Sequence, residues 1–352
     1  TWTLTFLCGT GHVVYTMFPI IADIALQKNI RPERPMAVAS VASQMAICAS
    51  PVSVAVVSMV SILAAGHGIG QAYGLLDILM IAIPSSLTGV VMAALWSLRR
   101  GKDLDKDEEF QAKIQDPEQH AFIYGGGETL LNTKFPKEAY WSTWIFFAAI
   151  AAVVLLGANE GLRPVFTIKD KTGPLSMNLV IQMMMLIAGA IILMRCKVKP
   201  GEIANGAVFK AGMVAIFSVF GVAWMSETFF QAHMPLLKET LAHVVQAQPW
   251  TYALVLFLIS KLVNSQAAAL TAIAPMGLAL GVEPKLLIAF LPASYGYFVL
   301  PTYPSDLACI GFDRSGTTRI GKFIINHSFI IPGLIGVSSS CALGYLLTTI
   351  LL

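Results

Sequence analysis

The chain has 352 residues, of which 56% are hydrophobic and only 12% charged, and its mean hydropathy is +0.71. A soluble domain carries about 25% charged residues, so the composition excludes an ordinary soluble protein and points to a polytopic membrane protein. The net charge of +3 is small, and the basic residues sit between apolar runs, so nothing suggests a nucleic-acid partner.

Residues 1–7 already lie inside an apolar run, with no Met, charged leader or cleavage site before them, and we expect further membrane segments upstream. Gly9-Thr10-Gly11-His12 breaks the run, and residues 13–26 resume it. Neither arm has the roughly 20 residues that a comfortable crossing needs. Two short arms around a polar tip predict a re-entrant hairpin. His12, beside that tip, is either a proton or substrate contact or a satisfied polar cap. The basic stretch KNIRPERP follows at 28–35. Residues 36–65 are apolar but interrupted by Ala49-Ser50-Pro51-Val52-Ser53. Proline removes a donor and clashes one turn back, so a discontinuous helix is predicted. Residues 66–74 form a Gly-rich loop without Lys or Arg, and 75–98 span the membrane, ending at Trp96 and Arg99-Arg100.

Residues 101–140 are the one polar insert. Its mixed charges predict a solvated helix and loop, and it lacks the spacing of an EF-hand metal site. Trp141 and Trp144 mark re-entry at an interface. Spans are predicted at 141–157, 175–194 and 208–230, with a loop at 159–173 and a basic stretch at 195–210. Glu227 reads as structural, and Trp224 and the methionines at 183–185 as lipid-facing or packed. Residues 250–263 and 267–280 are short arms around Asn264-Ser265-Gln266, a second hairpin. Residues 285–309 are broken at Pro301-Thr302-Tyr303-Pro304. A charged loop, DRSGTTRIGK, occupies 313–322, and 323–352 is a final apolar segment that Pro332-Gly333 can kink. The five cysteines (Cys8, Cys48, Cys196, Cys309 and Cys341) show no CxxC spacing and read as inert thiols.

Basic residues favour the cytoplasmic side. The clusters at Lys28/Arg31/Arg34, Arg99/Arg100/Lys102, Arg195/Lys197/Lys199 and Arg314/Arg319/Lys322 fall on one side only if both hairpins are re-entrant and enter from opposite faces. The order of arm, polar tip, arm and broken helix occurs twice. Pro19 lies nine residues after Thr10 and Pro275 nine after Gln266. The fold class expected is therefore an all-α polytopic membrane protein with inverted repeats, re-entrant hairpins and discontinuous helices. We divide it into a first repeat at 1–98, a cytoplasmic insert at 99–140 and a second repeat at 141–352.

Each break creates a helix N-terminus carrying roughly half a positive charge. Several such ends around one cavity suit an anion with two carboxylates, and unwound carbonyls can coordinate Na⁺. The expected substrate site comprises Thr10, Gly11, Ser50, Ser53, Lys261, Asn264, Ser265, Gln266, Thr302 and Asp306. Lys261 lies deep, where a charge costs roughly 3 kcal/mol unless paired. It either pairs with a substrate carboxylate or with Asp306, or snorkels to an interface. Asp306 is either an N-cap or a cation or proton ligand.

No HExxH, GxSxG or GxxxxGK[ST] occurs, so zinc protease, hydrolase and ATP-driven pump lack their usual signatures. At GTGHVVYTMFPI, RPERPMAVAS, ASPVSVAVVS, GKDLDKDEEF, KLVNSQAAAL, LPTYPSDLA and DRSGTTRIGKFIINHSFIIPGLIGV the chain resembles the anaerobic C4-dicarboxylate transporters of the Dcu family, B-type branch. The resemblance covers essentially the whole sequence. It implies a bacterial inner-membrane carrier exchanging fumarate, malate or aspartate for succinate, with no cofactor and with Na⁺ or H⁺ coupling as a further mode. It also implies further N-terminal helices, an elevator motion, a homodimer, and for some members a co-sensor role with a membrane sensor kinase.

Overall fold

The computed structural model describes residues 1–65, 73–124, 135–168, 171–175, 177–205 and 248–352, with scattered positions between 206 and 247. The expected span at 208–230, with Trp224 and Glu227, falls largely outside these residues, as does most of the 66–74 loop. The described chain is helical except for one antiparallel ribbon, β1 (Val165–Ile168) and β2 (Lys171–Pro174), with Val165 opposite Pro174. The ribbon replaces most of the plain loop expected at 159–173. Val165 and Phe166 of β1 are exposed, and the surrounding apolar runs obscure so short a strand signal.

Helices form on both sides of each predicted tip, and the two arms of the second pack against each other. In the first, α1 (Trp2–Cys8) and α2 (Val14–Gln27) flank the tip. The helices after the hairpin are α3 (Glu33–Met45), α4 (Val54–Ala65) and α5 (Leu75–Ser97). A 3-10 turn at Ala46–Ala49 and the extended Ser50 separate α3 from α4, as Pro51 requires. The insert holds α6 (Glu108–Lys113) and α7 (Pro117–Tyr124). Then come α8 (Lys137–Ala158), α9 (Met177–Arg195) and the short α10 (Pro200–Ile203). The second hairpin is α11 (Thr251–Val263) and α12 (Gln266–Ala279). After it lie α13 (Pro284–Ala289), α14 (Pro304–Phe312) and α15 (Ile330–Leu351).

The second break is longer than predicted. The helix stops at Ala289, and two 3-10 turns, Leu291–Ser294 and Tyr297–Val299, precede the extended Leu300. Pro292 and the close approach of Gly296 explain the early stop. A Cβ on Gly296 would lie 2.0 Å from the Phe257 carbonyl oxygen of α11, so only glycine lets this backbone approach.

Packing between the halves is reciprocal. α12, the second arm of hairpin two, packs on α4, the second half of the first broken helix, while α2 packs on α14, the second half of the other broken helix. The helices that end each unit, α5 and α15, pack along each other. They cross where a Cβ on Gly89 would meet Ser340 Oγ at 2.1 Å and the Gly336 carbonyl at 2.3 Å. Small residues of this kind let backbones approach where lipid supplies no hydrophobic drive. A core from α4, α5, α11, α12 and α13 includes Val56, Met59, Ile78, Leu256, Ile259, Leu270, Ile273 and Leu287. Exposed Leu95, Leu186, Leu193 and Leu346 lie on α5, α9 and α15. Three segments among the described residues are long and apolar enough to cross a membrane: Glu33–Leu63, Leu75–Ser97 and Ile330–Leu351.

Three of the four basic clusters gather at one end. Glu33 accepts from Arg31 Nε (2.8 Å) and Ser328 Oγ (2.6 Å) and pairs with Arg100 (2.9 Å). Arg314 pairs with Asp23. The insert is docked here rather than merely solvated: Arg31 pairs with Asp107 (2.6 Å), Arg34 with Asp103 (2.7 Å), and Lys113 donates to the Ser315 carbonyl (3.1 Å). Leu104, Phe110 and Ile123 bury with Leu26 of α2. Its few apolar residues, scattered among charges, carry no periodic signal, which is why composition alone gives a solvated segment. Breaking a buried ion pair from one side costs about 3–5 kcal/mol. We expect Glu33→Ala to destabilise the detergent-solubilised protein by about 3 kcal/mol, the low end of that range, read as a fall in its thermal unfolding midpoint. An unchanged midpoint would show that Arg31 and Arg100 find other partners.

Candidate functional site

The two hairpin tips use the same local chemistry. α1 ends on Gly9 and α11 on Asn264, both left-handed, with φ of 69° and 53°. Glycine has no Cβ penalty there, and asparagine is among the residues that tolerate it. The next residues, Thr10 and Ser265, are extended N-caps whose hydroxyls accept from the backbone N–H of His12 (3.4 Å) and Ala268 (3.3 Å). Thr10 therefore corresponds to Ser265, one residue earlier than the proline spacing suggested, because the caps rather than the prolines set the register.

Each first arm holds the break of its own unit. Ser50 Oγ donates to the Phe6 carbonyl of α1 (2.6 Å). Ser260 Oγ of α11 accepts from the Gly296 N–H (2.7 Å). Ser53 caps α4 by accepting from Val56 N–H (3.2 Å). Ser50 and Ser53 are fully buried.

Both tips meet on Gln44 of α3. A Cβ on Gly11 would lie 2.3 Å from Gln44 Nε2, so the first tip rests against this amide. From the second tip, Gln266 Nε2 donates to the Gln44 carbonyl (2.8 Å) and to Tyr297 Oη (3.2 Å), and Tyr297 donates to Gln44 Oε1 (2.6 Å). Gln44 Nε2 also donates to Ser43 Oγ (3.2 Å) and Ser305 Oγ (3.4 Å). One turn earlier Ser40 Oγ donates to Asp306 Oδ1 (2.8 Å). Ser40 and Gln44 lie four residues apart and so share one face of α3. That polar face within an otherwise apolar run was the available signal for Gln44, which sequence reasoning missed. Tyr297 was missed too, since nothing sets it apart from its aromatic neighbours.

Asp306 is 1% exposed, and its Oδ2 has no hydrogen-bond partner. It makes no side-chain cap; Tyr303 is the N-cap of α14. Lys261 forms no ion pair with Asp306, although their charges interact. Its ammonium is taken by closer neutral oxygens instead: Asn264 Oδ1 (3.1 Å), the carbonyls of Tyr297 and Leu300 (both 3.2 Å) and Thr302 Oγ1 (2.9 Å). Thr10 and Thr302 are exposed, and Lys261, Asn264 and Ser265 are half-buried. Among the described residues no group of His, Cys, Asp and Glu is arranged to hold a metal ion.

The family model for anaerobic C4-dicarboxylate membrane transporters matches residues 1–352. The chain belongs to this family. It is 57% identical over 346 residues to the anaerobic C4-dicarboxylate transporter DcuB of Escherichia coli O6:H1, covering 98% of this chain and 77% of that protein. The C4-dicarboxylate transporter DcuA of Escherichia coli strain K12 is 36% identical over 353 residues, covering 100% and 78%. DcuA of Wolinella succinogenes is 37% identical over 358 residues, with the same coverage of 100% and 78%. No solved structure matches the chain. These relatives are membrane transporters and not enzymes.

The junction at Gln44 gives a direct test. Gln44→Leu leaves the Tyr297 hydroxyl proton without its acceptor, while Gln266 keeps the backbone carbonyl of residue 44, and an unsatisfied buried group costs about 1–3 kcal/mol. We expect a clear fall in unfolding midpoint, and a smaller fall for Gln44→Leu with Tyr297→Phe, which removes the stranded group. A double variant less stable than Gln44→Leu alone would rule out this pairing.

Proposed function

We propose that the chain is a secondary carrier of C4-dicarboxylates in the bacterial inner membrane, exchanging fumarate, malate or aspartate for succinate. The observation that carries the reading is the gathering of both tips and both breaks around Gln44. Four helix N-termini, those of α2, α4, α12 and α14, begin at these positions. Each carries roughly half a positive charge, about two in sum, which matches a dianion. Thr10, Asn264, Ser265 and Thr302 supply the accessible polar groups, and Gly11 lets the first tip approach. Ser50, Ser53, Gln266 and Asp306 hold the breaks that present them. Thr302 Oγ1 accepts from Lys261 and keeps its own proton for a substrate carboxylate.

The reciprocal packing supports an inverted pair of repeats, one within 1–98 and one within 141–352, with residues 99–140 as the insert. The gathering of basic loops supports a cytoplasmic location for that end. A homodimer, a sensor-kinase partner and Na⁺ or H⁺ coupling belong to the same proposal as features of the resembled family.

Proteoliposomes loaded with succinate test the carrier. Labelled fumarate should accumulate in loaded vesicles and not in empty ones; equal uptake in both would refute exchange. Thr302→Ala should weaken fumarate binding about 5-fold, the equivalent of roughly 1 kcal/mol for a neutral hydrogen bond, and Thr302→Ser should retain it. Equal affinity in all three proteins would remove Thr302 from the site.

A further inference from the structure

We infer that the four oxygens around Lys261 Nζ form a monovalent-cation site that this chain fills with its own ammonium. The oxygens come from separate places: Asn264 at the hairpin tip, Tyr297 and Leu300 from the unwound backbone, and Thr302 from the break. All lie 2.9–3.2 Å from the nitrogen. An ammonium has three protons to donate. Four acceptors exceed that number, so the shell is organised around a charge and not around three bond directions.

The surroundings suit a cation independently of the lysine. Two of the ligands are carbonyls of the unwound segment; that of Leu300 also accepts from the Thr302 N–H (2.7 Å), so a cation is its second partner. The buried Asp306, whose Oδ2 has no hydrogen-bond partner, lies within electrostatic range of Lys261. The lysine itself is peculiar to one hairpin. It stands three residues before the left-handed Asn264; the residue three before the left-handed Gly9 is Phe6. The first tip is held by Ser50 bonding the Phe6 carbonyl, with no cation.

The size of the shell predicts which free cation replaces the tether. Small hard cations draw oxygens in to about 2.3–2.6 Å, well inside the present distances. Ammonium and K⁺ fit without contraction, and Na⁺ requires the cage to close. With the tether present, no free monovalent cation is needed at this position.

The test uses Lys261→Ala, which empties the cage, and Lys261→Met, which fills it with an uncharged stem. Thermal unfolding of the purified proteins is followed in ammonium, potassium, sodium and choline chloride at equal ionic strength. Lys261→Ala should show a saturable rise in midpoint of at least about 3 °C in ammonium or potassium over choline. Wild type and Lys261→Met should show none. The site is refuted by a Lys261→Ala protein indifferent to all four salts, by the same response in Lys261→Met, or by a Lys261→Ala protein that folds under none of them. In proteoliposomes, wild-type exchange should be equal in potassium and choline, and Lys261→Ala exchange should require ammonium or potassium. The inference rests on the carrier reading for this transport arm alone. A wild type that fails to exchange defeats that reading, while the unfolding midpoints still decide the site.

Discussion

A backbone that leaves the helix inside an apolar layer must find partners for its N–H and C=O groups, and the rest of this structure depends on that constraint. Residues 46–53 and 290–303 both leave it. Neither break satisfies itself. Ser50 reaches across to α1, Ser260 of α11 reaches to Gly296, and Lys261 takes the carbonyls of Tyr297 and Leu300. Hairpin and broken helix are thus one unit: the first arm of each hairpin is the surface on which its own break is built. The second arms do something different. By packing on the broken helix of the opposite unit, they join the halves, and Gln44 lies where those two sets of contacts intersect. A residue in this position feels both tips at once.

Much of this was legible in the sequence. Proline and polar clusters inside apolar runs marked the breaks, because few other residues stop a helix in hydrocarbon. Arm lengths too short to cross marked the hairpins. The depth of Lys261 marked it as paired, although its partners turned out to be neutral oxygens and not Asp306. What escaped notice left little or no local mark: Gln44 only the polar face it shares with Ser40, Tyr297 none. Gln44 and Tyr297 matter because of residues more than two hundred positions away, and no spacing rule within one helix reveals that. The early end of α13 depends on a backbone contact between Gly296 and Phe257. The docking of the insert depends on ion pairs such as Arg31 with Asp107, whose members are 76 residues apart.

The two units share a plan without sharing a chemistry. Both tips pair a left-handed residue with a hydroxyl N-cap, and both second arms carry a proline. The second tip carries Lys261, and the second broken helix carries a buried carboxylate beside its break, Asp306, whereas Glu33 of the first stands at the far end of α3 in ion pairs with Arg31 and Arg100. In the first unit Ser53 caps α4; at the start of α14 the N-cap position is Tyr303, which makes no side-chain cap bond, and Asp306 accepts from Ser40 of the other unit. Functional asymmetry has therefore been added to a common scaffold at the break that is longer and more unwound.

That asymmetry bears on where the attraction for an anion comes from. Lys261 and Asp306 form no ion pair, and the Lys261 ammonium is held by neutral oxygens instead. The ammonium already faces four oxygens, and turning it to a carboxylate would give up bonds to the Asn264 amide, the Thr302 hydroxyl and two backbone carbonyls. The helix N-termini are held differently: Thr10, Ser53 and Ser265 each satisfy one N–H there, and the partial charge of these ends is fixed by backbone geometry. On the carrier reading proposed above, selection for two carboxylates would follow from how many ends meet, and not from any one side chain. The side chains that hold the breaks in place, Gln44 foremost, control that number. A substitution among them acts on substrate by turning an end away rather than by removing a contact.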